Sequence, residues 1–410
     1  MGELQVEVEP GEVGFDAARL GRVDEVFGRY VDDGKLPGWL FALTRHGKLA
    51  HLSTCGHRDV EADLPVEVDT LFRIYSMTKP ITSVAAMMLY EEGAFALKDP
   101  ISRWLPEFAE LRVHTGGGSD AMETEAATEP IRVWHLLTHT AGLTYGFHRA
   151  HPVDGAYRDA GYDLGAPPGS TLAEACEVWA GLPLLFQPGT EWNYSVATDV
   201  LGRFVEVVSG QSLDAFFQER ILGPLGMVDT GFSVAEDQRH RLAGLYVPGE
   251  DQRATRFDEI GPVAHTTPSF LSGGGGLVST AADYLRFVEL LRCGGELDGV
   301  RLLSNRTVAY MTRNHLPGGV DLEQFGRQLF SETTYDGVGF GLGFAVTHDV
   351  VKNRVLASPG EYTWGGAAST TFWVDPVEDV TAVFLTQLLP SSTHPIRSQL
   401  KALVLQALVD

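Results

Sequence analysis

The chain has 410 residues, 44% hydrophobic and 21% charged, a length and composition that predict two or three globular domains around a sizeable core. Its 31 basic against 54 acidic residues leave a formal charge of −23, which argues against nucleic acid or an anionic membrane as partner. Cys55, Cys176 and Cys293 are too few and too far apart for a disulfide framework. With no basic, apolar leader and no run of about 18 apolar residues, the expectation is a cytoplasmic chain.

In chain order, residues 16–33 read as an amphipathic helix with Leu20, Val23, Val26, Phe27 and Tyr30 inward and Gly34 as its stop. Two apolar runs, 39–44 and 48–53, flank Arg45-His46-Gly47 and predict a β-hairpin. Next comes the stretch Phe72-Arg73-Ile74-Tyr75-Ser76-Met77-Thr78-Lys79-Pro80. Ile81, Val84, Ala85, Met88 and Leu89 then follow at helical spacing, and Ala86, Met87 and Tyr90 make the other face apolar too. This predicts a central helix buried nearly all round, with Pro80 in its first turn, where a missing N–H costs little. Ser76 and Lys79, three apart at its tip, lie on one face. A helix N-terminus polarises an alcohol, and a lysine beside it can take the alcohol's proton. Taken alone, the pair also fits a capping serine with a solvated lysine.

Residues 131–137 predict a short helix ending at His139-Thr140-Ala141-Gly142-Leu143, and 198–208 and 212–221 predict two more. Residues 116–130, small, acidic and Thr/Ala-rich, read as a mobile surface loop. Residues 146–169 mix Phe147, His148, Tyr157 and Tyr162 with Gly and Pro and fit either a pocket wall or a packed loop. After Gly273-Gly274-Gly275-Gly276 comes a helix capped by Ser279-Thr280. Strands are predicted at 338–347, 354–358, 367–374 and 380–387, and a helix from His394. The alternation of Gly337, Gly339, Gly341 and Gly343 reads as one strand face stripped for close packing. A second Ser-x-x-Lys, Ser398 to Lys401, lies in that last helix and is expected to face water.

This order predicts an α/β protein of α+β type. Its antiparallel sheet is built from residues 1–75 and 271–410 with flanking helices, and a mostly helical domain, 76–270, is inserted, with the active site at the seam. Two further motifs bear on that site. Pro188-Gly189-Thr190-Glu191-Trp192-Asn193-Tyr194-Ser195-Val196 is a turn delivering Tyr194, a candidate proton shuttle that also fits a packed aromatic with a bonded hydroxyl. Gly360-Glu361-Tyr362-Thr363-Trp364-Gly365-Gly366-Ala367-Ala368-Ser369 leads into a strand where small residues let a carbonyl approach backbone N–H groups; a glycine bulge with a buried tryptophan fits as well.

Ser76-Met77-Thr78-Lys79, Tyr194-Ser195-Val196 and Trp364-Gly365-Gly366, in that order, resemble the motif triplet of the penicillin-recognising serine hydrolases. This superfamily holds class C β-lactamases, D-alanyl-D-alanine carboxypeptidases and β-lactamase-fold esterases of family VIII. His139 to Leu143, Phe186-Gln187-Pro188-Gly189 and Gly274 to Thr280 extend the likeness to the class C branch. The resemblance implies that Ser76 is acylated, that Lys79 and Tyr194 share the acid–base work, and that the backbone N–H groups of Ser76 and Ala367 hold the oxyanion. It further implies that Trp364, Gly365 and Gly366 contact substrate. Val196 stands where β-lactamases carry Asn, and Trp364-Gly365-Gly366 where they carry Lys-Thr-Gly. An indole in place of a cation removes the partner for a substrate carboxylate. The esterase branch carries the Trp-Gly-Gly form, so the expected substrates are neutral, small-molecule short-chain esters. β-Lactam or peptide hydrolysis, acyl transfer, and a non-catalytic binding role on the same fold are the alternatives.

No cofactor or metal is called for, since the chain has neither His-Glu-x-x-His nor Cys-x-x-Cys, and His46, His135 and His139 read as structural. The absence of Gly-x-Ser-x-Gly argues against an α/β-hydrolase. Loops at 146–169, 246–270 and 316–335 are expected to set substrate preference. The sequence assigns no oligomeric state.

Overall fold

A computed structural model describes residues 4–119, 121–260, 264–327 and 335–410. Parts of the 116–130, 246–270 and 316–335 loops (120, 261–263, 328–334) lie outside the described residues. The first helix, α1 (Arg22–Asp32), follows a short helical segment, Ala17–Leu20, and buries Val23 and Phe27. Strands β1 (Gly38–Arg45) and β2 (Lys48–Asp59) form the expected hairpin, Arg45 opposite Lys48. Their turn at His46 and Gly47 has positive φ at both positions, the backbone that matches strand twist.

Among the described residues, the main sheet has eight antiparallel strands. With β3 (Leu64–Pro65), β4 (Val338–Phe340), β5 (Ala345–Thr347), β6 (Tyr362–Gly365), β7 (Thr371–Asp375) and β8 (Val380–Thr386), the order is β4-β5-β6-β7-β8-β1-β2-β3. The seam between distant parts of the chain is β1 on β8, from Trp39 opposite Thr386 to Arg45 opposite Val380. All eight residues of β1 are buried because both faces of the sheet are covered. Trp39, Phe41 and Leu43 pack with Trp373, Phe384, α1 and the last helix, α5 (Ile396–Leu405). Leu40 and Ala42 face the larger core containing α2 (Thr78–Glu91) and α4 (Ala281–Arg292). Helix α3 (Ala197–Ser209) packs on α2. This is the β-lactamase/transpeptidase-like architecture expected.

Several elements differ from the sequence reading. Residues 116–130 are not wholly a loop, since Arg112–Gly116 and Glu123–Ala126 form a hairpin. Within 146–169, a helix, Pro152–Asp159, starts at His151 and buries Tyr157. The 338–347 stretch is a hairpin of two short strands rather than one strand. Gly337 and Gly343 have positive φ, and all four glycines are closely approached: Gly337 by the carbonyl of Asp349, Gly339 by Asn314, Gly341 by the carbonyl of Met311 and Gly343 by the Ser83 side chain. No strand covers 354–358: the helix Val350–Asn353 ends with Arg354 at positive φ, and the strand comes later, as β6. The strand expected at 367–374 begins at Thr371.

Lys401 does not face water. Its ammonium meets the carboxylate of Glu361, which is fully buried on β6's approach and pushed above the usual carboxylate range by burial, with Lys401 opposing. Removing the cation alone strands a buried acid. Lys401→Met is therefore expected to cost about 3–5 kcal/mol in urea unfolding, and Lys401→Met combined with Glu361→Leu to recover most of it.

Candidate active site

Helix α2 buries every residue from Thr78 to Leu89, so it is fixed on all sides and its tip is held in place. The chain enters it through a 3₁₀ turn, Tyr75–Met77, with Tyr75 at φ +44°, a conformation an aromatic residue adopts only under constraint. Ser76 sits in that turn. Lys79, 2% exposed, reaches back one turn so that its Nζ lies 3.2 Å from Ser76 Oγ.

Tyr194 arrives from the turn before α3, and its hydroxyl lies 2.6 Å from Ser76 Oγ. Contacts on every side hold that turn: His148 Nε2 is 2.7 Å from the Tyr194 carbonyl, Asn193 Nδ2 donates to Leu143 O at 3.0 Å, and Asn193 N donates to His139 O at 3.0 Å. The His139 ring lies 5.0 Å from that of Tyr194 and its Nδ1 is 3.2 Å from Ser195 Oγ. Burial, then the charge of Lys79 and the nearby His148, push its pKa far down, so it is a neutral support. His135, on the helix Val133–Leu137, takes the N–H of Arg132 at Nδ1; burial lowers its pKa to about 3.

Strand β6 closes the other side. Trp364 is 6% exposed, its ring 5.4 Å from Tyr194 and edge-on to Phe340. Gly366 packs so tightly that a Cβ would stand 2.4 Å from the carbonyl of Ile74, bringing the end of β6 alongside the Ser76 turn. Its N–H is already given to Thr370 O at 2.9 Å; Ala367, next along, is exposed. The strand's alternation turns Gly365 the other way, toward Arg397 of α5, so Gly365 is not brought to the serine by its open face.

Two groups beside Lys79 are not among the residues expected to form the site. Tyr145 OH lies 3.0 Å from Nζ, with Phe147 stacked on its ring at 4.6 Å. Gly274 O accepts from Nζ at 2.7 Å. Lys79 thus donates to three oxygens, Ser76 Oγ, Tyr145 OH and Gly274 O, the full capacity of an ammonium. Tyr145 stands at the edge of the aromatic 146–169 stretch; Gly274 lies in a run whose glycines alone signal only close backbone approach. Chemically, the arrangement offers an alcohol within reach of a phenol and an ammonium in an aromatic-lined recess, the parts needed for acyl transfer through a serine ester. Among the described residues no cluster of His, Cys, Asp and Glu can hold a metal ion, and no helix is long and apolar enough to cross a membrane.

The family model described as "Beta-lactamase" matches residues 23–406. Protein Rv1367c of Mycobacterium tuberculosis is 41% identical over 366 residues, 88% of each chain. Esterase EstB of Burkholderia gladioli is 33% identical over 402 residues, covering 92% of this chain and 93% of its own. The structure of EstCE1, described as a hydrolase with promiscuous acyltransferase activity, superposes with a TM-score of 0.80 at 29% identity, over 96% of this chain and 99% of its own.

Proposed function

Because the chain belongs to the β-lactamase family of serine hydrolases, with an esterase among its relatives, we propose that it is a carboxylesterase acting on neutral, short-chain esters. The observation that carries this reading is the contact set around Ser76 Oγ, with Lys79 Nζ at 3.2 Å and Tyr194 OH at 2.6 Å, walled by Trp364 rather than by a cation. Ser76 Oγ attacks the ester carbonyl as its proton passes to the member of the Lys79–Tyr194 pair that has given up its own proton, the lysine amine or the tyrosine phenolate. The N–H groups of Ser76 and Ala367 hold the oxyanion. The pair then returns the proton to the departing alkoxide, leaving a Ser76 acyl ester, and the same groups activate water to hydrolyse it. Trp364 and Gly366 line the acyl path.

The neutral-ester preference follows from Trp364. A β-lactam or a peptide terminus brings a carboxylate that finds an indole there, forfeiting a charged hydrogen bond of about 2–3 kcal/mol. The test is steady-state hydrolysis of p-nitrophenyl butyrate beside a chromogenic cephalosporin. The ester is expected to lead in kcat/KM by about 100-fold; equal or faster cephalosporin turnover would return the chain to β-lactam chemistry.

Acyl transfer is a second reading, favoured by the description of EstCE1. The same acyl-enzyme delivers its acyl group to an alcohol instead of water, which added short-chain alcohol would reveal as transester product.

A further inference from the structure

The mechanism above leaves one buried acid unused. Asp199 lies in the first turn of α3, five residues beyond Tyr194, and is 3% exposed. Its Oδ1 accepts from Ser272 Oγ at 2.6 Å and from Gly274 N at 3.0 Å. Both are donors, as an ionised carboxylate requires. Gly274 is also the residue whose carbonyl receives Lys79 Nζ at 2.7 Å. The glycine strap lies flat on α3: a Cβ on Gly274 would stand 2.5 Å from Asp199 Oδ2, and one on Gly273 2.9 Å from the Thr198 carbonyl. Asp199 therefore grips the segment that grips the lysine. Burial raises its pKa, and the largest opposing influence is the charge of Lys79.

We propose that Asp199 is a positioning residue for Lys79: its carboxylate fixes the Ser272–Gly274 strap whose carbonyl receives the ammonium. The other groups around Nζ are uncharged. They are the hydroxyls of Ser76, Tyr145 and Tyr194, with His139 and His148 both disfavoured from protonating by burial. On this geometry Asp199 sets where Lys79 sits.

The inference rests on the serine-hydrolase reading, so its test follows Ser76 itself: the pH dependence of the rate at which a fluorophosphonate labels Ser76, alongside p-nitrophenyl butyrate hydrolysis. In Asp199→Asn, the strap loses its charged acceptor and the site loses a buried carboxylate, so the pH profile of Ser76 labelling should move to lower pH. kcat should fall about 10–100-fold while KM changes little. Ser272→Ala loses a bond but keeps the charge; it should lower kcat about 3–10-fold with both limbs in place. Unmoved limbs in a folded Asp199→Asn chain, even with reduced kcat, would reduce Asp199 to a packing role and overturn the proposal. Should Asp199→Asn fail to fold, Ser272→Ala decides: a reduced kcat at unchanged melting temperature supports the strap, and wild-type kcat overturns it. A wild-type chain that labels at Ser76 but hydrolyses no ester counts against the esterase reading alone; one that does neither overturns both.

Discussion

Replacing Ser76 by alanine is expected to lower kcat/KM for p-nitrophenyl butyrate by about 10⁴-fold or more while leaving the fold in place. The oxygen removed is the one that both Lys79 Nζ and Tyr194 OH reach, at 3.2 and 2.6 Å, and in the proposed mechanism it carries the acyl group. What remains, an oxyanion site without a nucleophile, supports only slow attack by water. The structural cost is small because Ser76 lies in a 3₁₀ turn ahead of the helix and caps nothing with its side chain; stability should stay within about 1 kcal/mol of the parent. Steady-state hydrolysis and urea unfolding of the two proteins check both halves. Activity within tenfold of the parent would mean that another group is the nucleophile.

Tyr194→Phe is the second large effect, an expected loss of about 10³-fold in kcat, within the range of a general acid–base group. Only the hydroxyl is lost. The ring keeps its contacts with His139, Trp192 and Trp364, and the backbone keeps its bond from His148, so KM should change little. Pre-steady-state traces separate the steps: if the phenol serves both acylation and deacylation, the variant shows slow turnover without a burst. A fall smaller than tenfold would leave the proton transfer to Lys79.

The pair at the helix tip was legible because its relation is local. Three residues of spacing and an apolar helix determine that Ser76 and Lys79 face one another, and a turn followed by a helix delivers Tyr194. Tyr145 and Asp199 were not legible. Tyr145 meets Lys79 across 66 residues and Asp199 meets Gly274 across 75; in sequence the first is a loop aromatic and the second an ordinary first-turn acid. The same logic explains the misread elements. The Arg112–Gly116 and Glu123–Ala126 hairpin is largely exposed, so no apolar alternation marks it, and it is held instead by bonds such as Arg112 to Thr124. Residues 354–358 alternate like a strand, but Arg354 leaves the preceding helix in a left-handed conformation, and pairing starts only at Tyr362.

The join of β1 to β8 governs how this protein reaches its folded state. Trp39 pairs with Cys55 on one side and with Thr386 on the other, so the β1–β2 hairpin joins neighbouring residues but has a bare backbone edge until the chain has been made as far as β8. Hydrophobic residues along that edge invite pairing with other chains in the interval. Closing a loop of more than three hundred residues makes the final pairing slow. A fragment ending before Val380 lacks the strand that seals this edge, so such truncations should collect as aggregates, while supplying the missing C-terminal segment in trans offers a route to recovering the sheet.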